Sequence, residues 1–127
     1  RLSLDKKAEL VVHLQNKLAA LDTLIKCDFG SFGISENTYR KMLSAAIDRD
    51  LPQNYWQSLG AKVWDETRKI NIKHGFDRKD DYLPDRFVKE PLPDGPASGH
   101  RISQADMDKM LDEYYKIRGW DQEGKPE

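Results

Sequence analysis

The most regular stretch of this chain is LDKKAELVVHLQNKLAALDTLI, which runs from Leu4 to Ile25. Its apolar residues recur at alternating spacings of three and four, which is the period of one face of an α-helix. The residues of this predicted apolar face are Val11, Leu14, Leu18, Leu21 and Ile25. We therefore predict an amphipathic helix here that buries these five side chains.

Three more helices follow from the same periodicity and from capping residues. The second is predicted to begin at Ser35, the third to span residues 54–75, and the last to span residues 103–119. Gly60 lies inside the third helix, where a glycine costs about 1 kcal/mol relative to alanine. We expect another backbone to approach Gly60 closely, because such an approach would justify that cost.

The segment from residue 76 to residue 103 has a different character. Its prolines and glycines exclude regular helix and disfavour a central strand. We expect it to wrap over a neighbouring surface, with Phe87, Val88 and Leu92 as anchors. The predicted fold class is all-α, with about four helices plus a long Pro/Gly-rich wrapping segment, in one helical domain over residues 1–127.

The composition excludes several classes of protein. The chain has 127 residues, of which 38% are hydrophobic, and a formal net charge of −1. This length suits a single domain, and the balanced charge argues against a nucleic-acid partner. No apolar run approaches the roughly 20 residues that span a bilayer, and the single cysteine cannot form an internal disulfide. We expect a cytoplasmic protein that does not bind membranes.

The charged residues of the third helix and the following loop admit a functional and a structural interpretation. Five basic residues between Arg68 and Lys79 could bind phosphate, but acidic neighbours offset them, and we interpret this stretch as a solvated face. The three aspartates of residues 77–81 lack the spacing of a calcium-binding loop. We expect them to form ion pairs with Arg78 and Arg86.

Cys27 is the first candidate for chemistry. It is either a small buried hydrophobic residue or a thiolate that acts as a metal ligand or nucleophile. No histidine lies near it in the sequence, and without a second cysteine this chain cannot build an iron–sulfur or zinc centre from thiolates alone. Cys27 can still donate one ligand to a centre completed elsewhere. Asp22, five residues earlier, is either a solvated carboxylate or a hydrogen-bond acceptor for a polar cofactor.

Four stretches of the chain, in order, are similar to motifs of one enzyme family. Residues 22–27, DTLIKC, resemble the Asp-x-x-Gly-Leu-Cys element of the tungsten-containing aldehyde ferredoxin oxidoreductase family. Residues 59–76 resemble its Gly-Glu-Arg-Ile…Phe-Asn-x-Arg-Glu-Gly stretch, and residues 77–87 its Arg-x-Asp-Asp-x-Leu-Pro-x-Arg segment. Residues 110–121 resemble its terminal Leu-Asp-Glu-Tyr-Tyr-x-x-Arg-Gly-Trp-Asp. The chain departs from the pattern at Ile25, where the family has glycine, and at Lys26, where it has leucine.

This resemblance implies a specific chemistry. Family members hold tungsten between two pterin dithiolenes, as a tungsten bis-pterin of the molybdopterin type, beside a [4Fe–4S] cluster. They oxidise aldehydes to carboxylic acids and pass the electrons to ferredoxin. Three cluster cysteines come from an earlier part of the polypeptide, and Cys27 matches the fourth, a metal ligand. Asp22 matches a cofactor-binding aspartate that contacts the pterin. No catalytic residue is assigned within these 127 residues.

The resemblance also implies that the chain is the C-terminal helical domain of a longer polypeptide. Its expected partners are the N-terminal domains of the same polypeptide, ferredoxin and an aldehyde substrate, with a possible homodimer. Alone, it should have no activity and bind no intact cluster. Two alternatives stay open: a tungsten enzyme of the same superfamily that acts on another substrate, such as an aromatic thioester, and a cofactor-free helical interaction module.

Overall fold

The computed structural model describes residues 3–31 and 33–127, with only the backbone of Asp28 and Ser31. The α-helices of the described residues are α1 (Lys7–Asp22), α2 (Glu36–Ala46), α3 (Tyr55–Lys73), α4 (Asp85–Lys89) and α5 (Gln104–Arg118). Two 3-10 helices span Asp28–Ser31 and Arg78–Asp81. Among the described residues, β pairing is limited to one isolated bridge, between Trp120 and Pro126. The predicted all-α fold is confirmed.

The predicted capping residues Ser35, Ser103 and Gly119 cap helices as expected, the two serines at helix starts and the glycine at a helix end. The Ser35 side chain accepts a hydrogen bond from the backbone N–H of Thr38, and that of Ser103 accepts one from Asp106. Each serine thus pairs an N–H group that has no partner within the first helical turn. Gly119 follows α5 with a φ of 72°, a left-handed conformation that glycine adopts without steric cost.

The proline-rich segment contains more helix than predicted. A 3-10 helix and α4 both lie within it, and α4 begins directly after Pro84, where a proline at the start of a helix removes no hydrogen bond. Further along, Leu92 donates to the carbonyl of His100 and Gly99 donates to that of Leu92, which closes a compact loop. Phe87 and Leu92 are about half exposed and Val88 is partly buried, and their role as anchors on a neighbouring surface stays a prediction.

The chain forms two compact units, each with its own core. One unit comprises the residues up to Leu10 together with Arg68–Glu127, and the other comprises Val11–Thr67. The core of the first unit consists of Met107, Leu111 and Tyr115, with Tyr82, Leu83, Ile102, Met110, Tyr114 and Trp120 packed around them. The core of the second unit consists of Ala20, Leu21 and Trp56, with Leu24, Tyr39, Leu43, Tyr55 and Leu59 packed around them.

Helix α1 buries a different face from the predicted one. Val12, Asn16 and Ala20 are buried, at a spacing of four residues. Of the five residues predicted to be inside, only Leu21 is buried; the exposed ones are Val11, Leu14, Leu18 and Ile25. The physical reason for this difference lies in α3.

Gly60 of α3 sets the orientation of α1. A Cβ atom built on Gly60 would lie 1.9 Å from the backbone oxygen of Asn16, so only a glycine permits the two backbones to approach this closely. The expectation of a close backbone approach at Gly60 is therefore confirmed. Because the contact involves the backbone at Asn16, the face of α1 around Asn16, which carries small side chains, is the one that packs on α3.

Candidate functional site

Asp22 is the last residue of α1, and the chain leaves the helix through a short series of tight turns. The amide of Thr23 donates to the carbonyl of Ala20, that of Leu24 to Leu21, and that of Ile25 to Asp22, at 3.3, 3.1 and 2.9 Å. These bonds satisfy carbonyl groups that the end of a helix leaves unpaired. The backbone from Asp22 to Ile25 is therefore fixed by the helix that precedes it.

A buried apolar cluster packs against this turn. Leu24 packs against Ala20, Leu21 and Trp56, which are almost fully buried. The indole N–H of Trp56 donates to the carbonyl of Glu36 at 2.9 Å, so the ring meets its polar requirement while it fills the core. The segment between Asp22 and Cys27 thus has one apolar anchor in its middle.

Ile25 adopts a conformation that favours glycine. Its φ is 52°, in the left-handed region, and its side chain is 96% exposed. A β-branched residue in this region is strained. Ile25 stands where the resembling motif has glycine, and the backbone here takes the glycine conformation although the side chain is isoleucine. The local turn therefore depends on its surroundings rather than on the preference of the residue at this position.

Cys27 is exposed and does not belong to a disulfide. The interpretation as a small buried hydrophobic residue is therefore wrong. The carbonyl of Cys27 accepts a hydrogen bond from the amide of Gly30 at 3.3 Å, at the start of the 3-10 helix Asp28–Ser31. Phe29, within that helix, is 86% exposed. Phe32, the next aromatic residue along the chain, lies outside the described residues.

The residue before Cys27 is also fixed. The ammonium group of Lys26 lies 5.0 Å from the centre of the Tyr39 ring, a cation–π distance. Asp22 is exposed at the end of α1, so its carboxylate faces solvent. The structure thus places Asp22 and Cys27 on one short, anchored segment with both side chains accessible. Within residues 3–31 and 33–127, no group of three or more His, Cys, Asp or Glu side chains is arranged to hold a metal ion.

The other unit contains a buried ionic network that the sequence analysis missed. Arg68 is only 7% exposed, and its guanidinium forms two hydrogen bonds to the carboxylate of Asp81, at 2.9 and 2.7 Å. A third bond, from Nε to the carbonyl of Gly124, measures 2.8 Å. The interpretation of this basic stretch as a solvated face is thus wrong for Arg68. Trp56, Gly60 and Arg68 are separated by four and eight residues, and this spacing was the signal that could have placed the arginine on the buried side of α3.

Tyr115 completes this network, which we call the Arg68 network, made of Arg68, Asp81, Tyr115 and Gly124. The hydroxyl of Tyr115 donates to the Asp81 carboxylate at 2.5 Å. Burial, and then this bond to a carboxylate, raise the pKa of Tyr115 well above its usual value, because both favour the neutral phenol. A Cβ atom on Gly124 would lie 2.7 Å from both the Arg68 guanidinium and the Tyr115 ring, so a glycine is required there.

The ion pairs of the acidic cluster differ from the predicted ones. Asp81 pairs with Arg68, whereas Arg78 pairs with Asp112 at 2.7 Å. Arg86 lies 3.6 Å from Glu90, the residue that directly follows α4. The predicted pairing of the three aspartates with Arg78 and Arg86 is therefore wrong: Asp81 pairs with the buried Arg68, and Asp77 pairs with Lys79.

A shallow depression of about 580 Å³ lies beside this network. Arg78 spans it, with bonds to Asp112 and to the carbonyl of Gln122. Acidic and basic side chains both line the depression, and they include Lys116 and Glu123. Because these charges offset one another, the depression favours neither an anion nor a cation.

Comparison with known proteins identifies the family of the chain. The family model described as "Aldehyde ferredoxin oxidoreductase, domains 2 & 3" matches residues 1–127. The chain belongs to the aldehyde ferredoxin oxidoreductase family. The family resemblance predicted from four sequence stretches is confirmed.

Relatives in the family agree with this assignment. The tungsten-containing aldehyde ferredoxin oxidoreductases of Pyrococcus furiosus and Thermococcus kodakarensis are each 37% identical to the chain over 122 residues, which is 95% of the chain and 20% of either relative. The WOR-like subunit of an aliphatic sulfonate oxidoreductase from Pyrococcus furiosus is 32% identical over 80 residues, 59% of the chain and 13% of that protein. The chain thus spans about a fifth of the length of these aldehyde ferredoxin oxidoreductases. No helix of the described residues is long and apolar enough to cross a membrane.

Proposed function

We propose that the chain acts as one helical domain, residues 1–127, at the C-terminal end of a tungsten-pterin, iron–sulfur oxidoreductase. The whole enzyme oxidises aldehydes to carboxylic acids with ferredoxin as electron acceptor. The observation that carries the proposal is the exposed thiol of Cys27 on an anchored turn, in a chain that belongs to the aldehyde ferredoxin oxidoreductase family. The cofactor-free interaction module explains neither the family membership nor the accessible cysteine.

Cys27 supplies one ligand of a [4Fe–4S] cluster in this proposal. Cysteine thiolates are the ordinary ligands of such clusters, and the remaining three come from another part of the polypeptide. The residues fit this role, because the thiol is exposed while the backbone on either side of it is held by Leu24 and by the amide of Gly30. When bound, the cluster carries single electrons. The part of Cys27 is to bind iron in a position fixed by the fold.

Asp22 holds the pterin in this proposal. An ionised carboxylate only accepts hydrogen bonds, so it suits the amino and ring N–H groups of a pterin. Asp22 is exposed, and the turn from Asp22 to Ile25 fixes its distance along the chain from Cys27. The side chain of Ile25 takes up the space that a glycine would leave open at this turn. In this proposal, Asp22 orients the cofactor.

The partners follow from the same proposal. The other domains of the same polypeptide supply the remaining cofactor ligands, ferredoxin accepts the electrons, and an aldehyde is the substrate. The 127-residue chain alone is inactive, binds no intact cluster, and self-associates to some extent. We keep the cytoplasm as its predicted location.

The test uses the full-length protein. Purified without exogenous metal chelators, it should contain tungsten and iron and reduce ferredoxin when an aldehyde is added. Asp22→Ala should lower the tungsten and pterin content, whereas Asp94→Ala, at an exposed carboxylate on the proline-rich loop, should not. A full-length protein without iron and tungsten would contradict the proposal. Equal pterin content in the two variants would contradict the role of Asp22.

A second substrate class has support from one relative. The aliphatic sulfonate oxidoreductase subunit matches part of the chain, so an enzyme of the same superfamily with a different substrate is the alternative. A panel of aldehydes, aliphatic sulfonates and aromatic thioesters, assayed with ferredoxin and the full-length protein, separates these possibilities. Reduction of ferredoxin by sulfonates but not by aldehydes would favour the alternative, as would turnover of the thioesters alone.

A further inference from the structure

Lys26 stands directly before Cys27, and its side chain contacts an aromatic ring of α2. The ammonium group lies 5.0 Å from the centre of the Tyr39 ring, within the range of a cation–π interaction. Lys26 and Tyr39 are both partly buried, whereas Cys27 is exposed. A positive charge is therefore held at a defined place next to the exposed thiol.

Tyr39 is a firm support for this charge. It lies within α2 and packs against the buried cluster of Ala20, Leu21 and Trp56. A lysine side chain loses much rotamer freedom when it is held in one place, and the attraction between the ammonium group and the face of the ring offsets part of that cost. The contact thus ties Lys26 to the same buried cluster that packs against the preceding turn.

The charge lies close enough to the cysteine to act on it electrostatically. The Cα atoms of adjacent residues are about 3.8 Å apart, and the lysine ammonium stands on a four-carbon stem. The ammonium group of Lys26 is therefore within about 10 Å of the Cys27 backbone, a range comparable with the screening length of about 8 Å at physiological ionic strength. A charge at this range changes the energy of an electron added at the thiol.

We propose that Lys26, held by Tyr39, raises the reduction potential of the cluster that binds to Cys27. This inference rests on the proposed function, which makes Cys27 a cluster ligand. Net charge is among the features that set the potential of an iron–sulfur cluster. Reduction adds one negative charge, so a fixed positive charge nearby favours the reduced form. Lys26 acts through its charge, and Tyr39 is the positioning residue that keeps the charge in place.

The position of Lys26 distinguishes this chain from the motif that it resembles. That motif has leucine here, a neutral residue, so this chain adds a positive charge at the residue next to the candidate ligand. The ordinary interpretation of a surface lysine is a solvated side chain. Lys26 differs from that case, because it is partly buried and in contact with an aromatic ring.

The test is a redox titration of the full-length protein, followed by electron paramagnetic resonance of the reduced cluster. Lys26→Met removes the charge from a side chain of similar shape, and Lys26→Arg keeps it. At the midpoint potential of the unmodified protein, the ratio of reduced to oxidised cluster should fall about twofold to twentyfold in Lys26→Met, as expected for unit charges about 10 Å apart at an effective dielectric constant between about 20 and 80. Lys26→Arg should keep the ratio of the unmodified protein. If Lys26→Met does not fold, Lys26→Gln makes the same neutral substitution.

Lys41→Met is the matched control for the loss of charge. Lys41 is an exposed residue of α2 two positions after Tyr39, and residues at that spacing do not face the same side of a helix. This variant should leave the potential unchanged. Tyr39→Leu should shift the potential in the same direction as Lys26→Met, because the ammonium group loses its support. Tyr39→Phe, which retains a ring, should not.

The iron content separates failure of this proposal from failure of the proposed function. An unchanged potential in Lys26→Met, with full iron content, would overturn the role of Lys26 and leave the proposed function intact. Loss of iron in Lys26→Met and Lys26→Arg alike, without a shift of potential, would assign the side chain a structural role and would also overturn it. An unmodified full-length protein without a cluster would contradict the proposed function and this inference together.

Discussion

Gly60 of α3 meets the backbone of Asn16 of α1 so closely that a Cβ atom would lie 1.9 Å from the Asn16 oxygen. This contact decides which face of α1 is buried, and so which apolar residues remain exposed. It also fixes the position of α1, the helix from whose last residue the turn to Cys27 continues. The position of the candidate ligand thus depends on a glycine in a different helix.

Replacing Gly60 by alanine should destabilise the protein by about 2 kcal/mol or more, because the added methyl group collides with backbone that cannot rotate away. Gly30→Ala is the matched control, since a Cβ atom there meets nothing within 4 Å. Urea unfolding of the 127-residue chain and both variants measures the difference. A Gly60→Ala variant as stable as Gly30→Ala would show that the two backbones do not meet as described.

Replacing Arg68 by methionine should cost about 3 kcal/mol, because it leaves the Asp81 carboxylate and the Gly124 carbonyl without their buried donor. Arg86→Met removes an exposed pair with Glu90 and should cost less than about 0.5 kcal/mol. Urea unfolding again gives both values. A double-mutant cycle with Asp81→Asn should show a coupling of at least about 1 kcal/mol, and additive effects would count against a direct contact.

The raised pKa of Tyr115 predicts a loss of stability in alkali. The folded state holds the phenol neutral to a higher pH than the unfolded state, in which tyrosine ionises near pH 10. Neutral Tyr115 therefore makes its full contribution to the free energy of unfolding below about pH 10. This contribution is lost as the pH rises from there towards the folded-state pKa. Tyr115→Phe should weaken this loss, and Tyr39→Phe should not. Unfolding curves of the three proteins on either side of pH 10 test it, and an unchanged pH dependence in Tyr115→Phe would refute the assignment.

Ile25→Gly should stabilise the chain by about 1 kcal/mol, because glycine takes the left-handed conformation at φ 52° without the strain of a β-branched side chain. Ile25 is almost fully exposed, so the substitution sacrifices little burial. Ile34→Gly is the control. The φ of Ile34 is not left-handed, so a glycine at this position should only lower the stability of the chain. If Ile25→Gly proves as destabilising as Ile34→Gly, the turn is not strained.

Much of the fold could be predicted from local sequence. The caps at Ser35 and Ser103 and the stop at Gly119 depend on short-range hydrogen bonds and on the freedom of glycine, which the residue types reveal directly. Gly60 was informative for a similar reason: its cost inside a helix indicated a close contact, and the contact exists.

The buried faces could not be read from periodicity alone. Helix α1 has apolar residues on both sides, so its period allows either face to be inside, and a backbone contact made by α3 selects the one with Val12 and Ala20. The burial of Arg68 was missed because a charge on a helix is usually solvated. Only the three-dimensional approach of Asp81 and Gly124 makes burial favourable for it.

The candidate site was predicted from the family resemblance, which assigns Cys27 to the cluster and Asp22 to the pterin. The family is confirmed, and the roles of these two residues stay predictions. The left-handed backbone at Ile25 could not be predicted, because isoleucine disfavours it.

The most direct measurement is electron paramagnetic resonance of the reduced full-length protein with Cys27→Ala, together with its iron content and the redox potential of its cluster. The account predicts that the variant loses the normal [4Fe–4S] spectrum, through loss of iron or an altered cluster, while the unmodified protein shows it. A Cys27→Ala protein with the unmodified spectrum, iron content and potential would contradict the claim that this thiol binds the cluster.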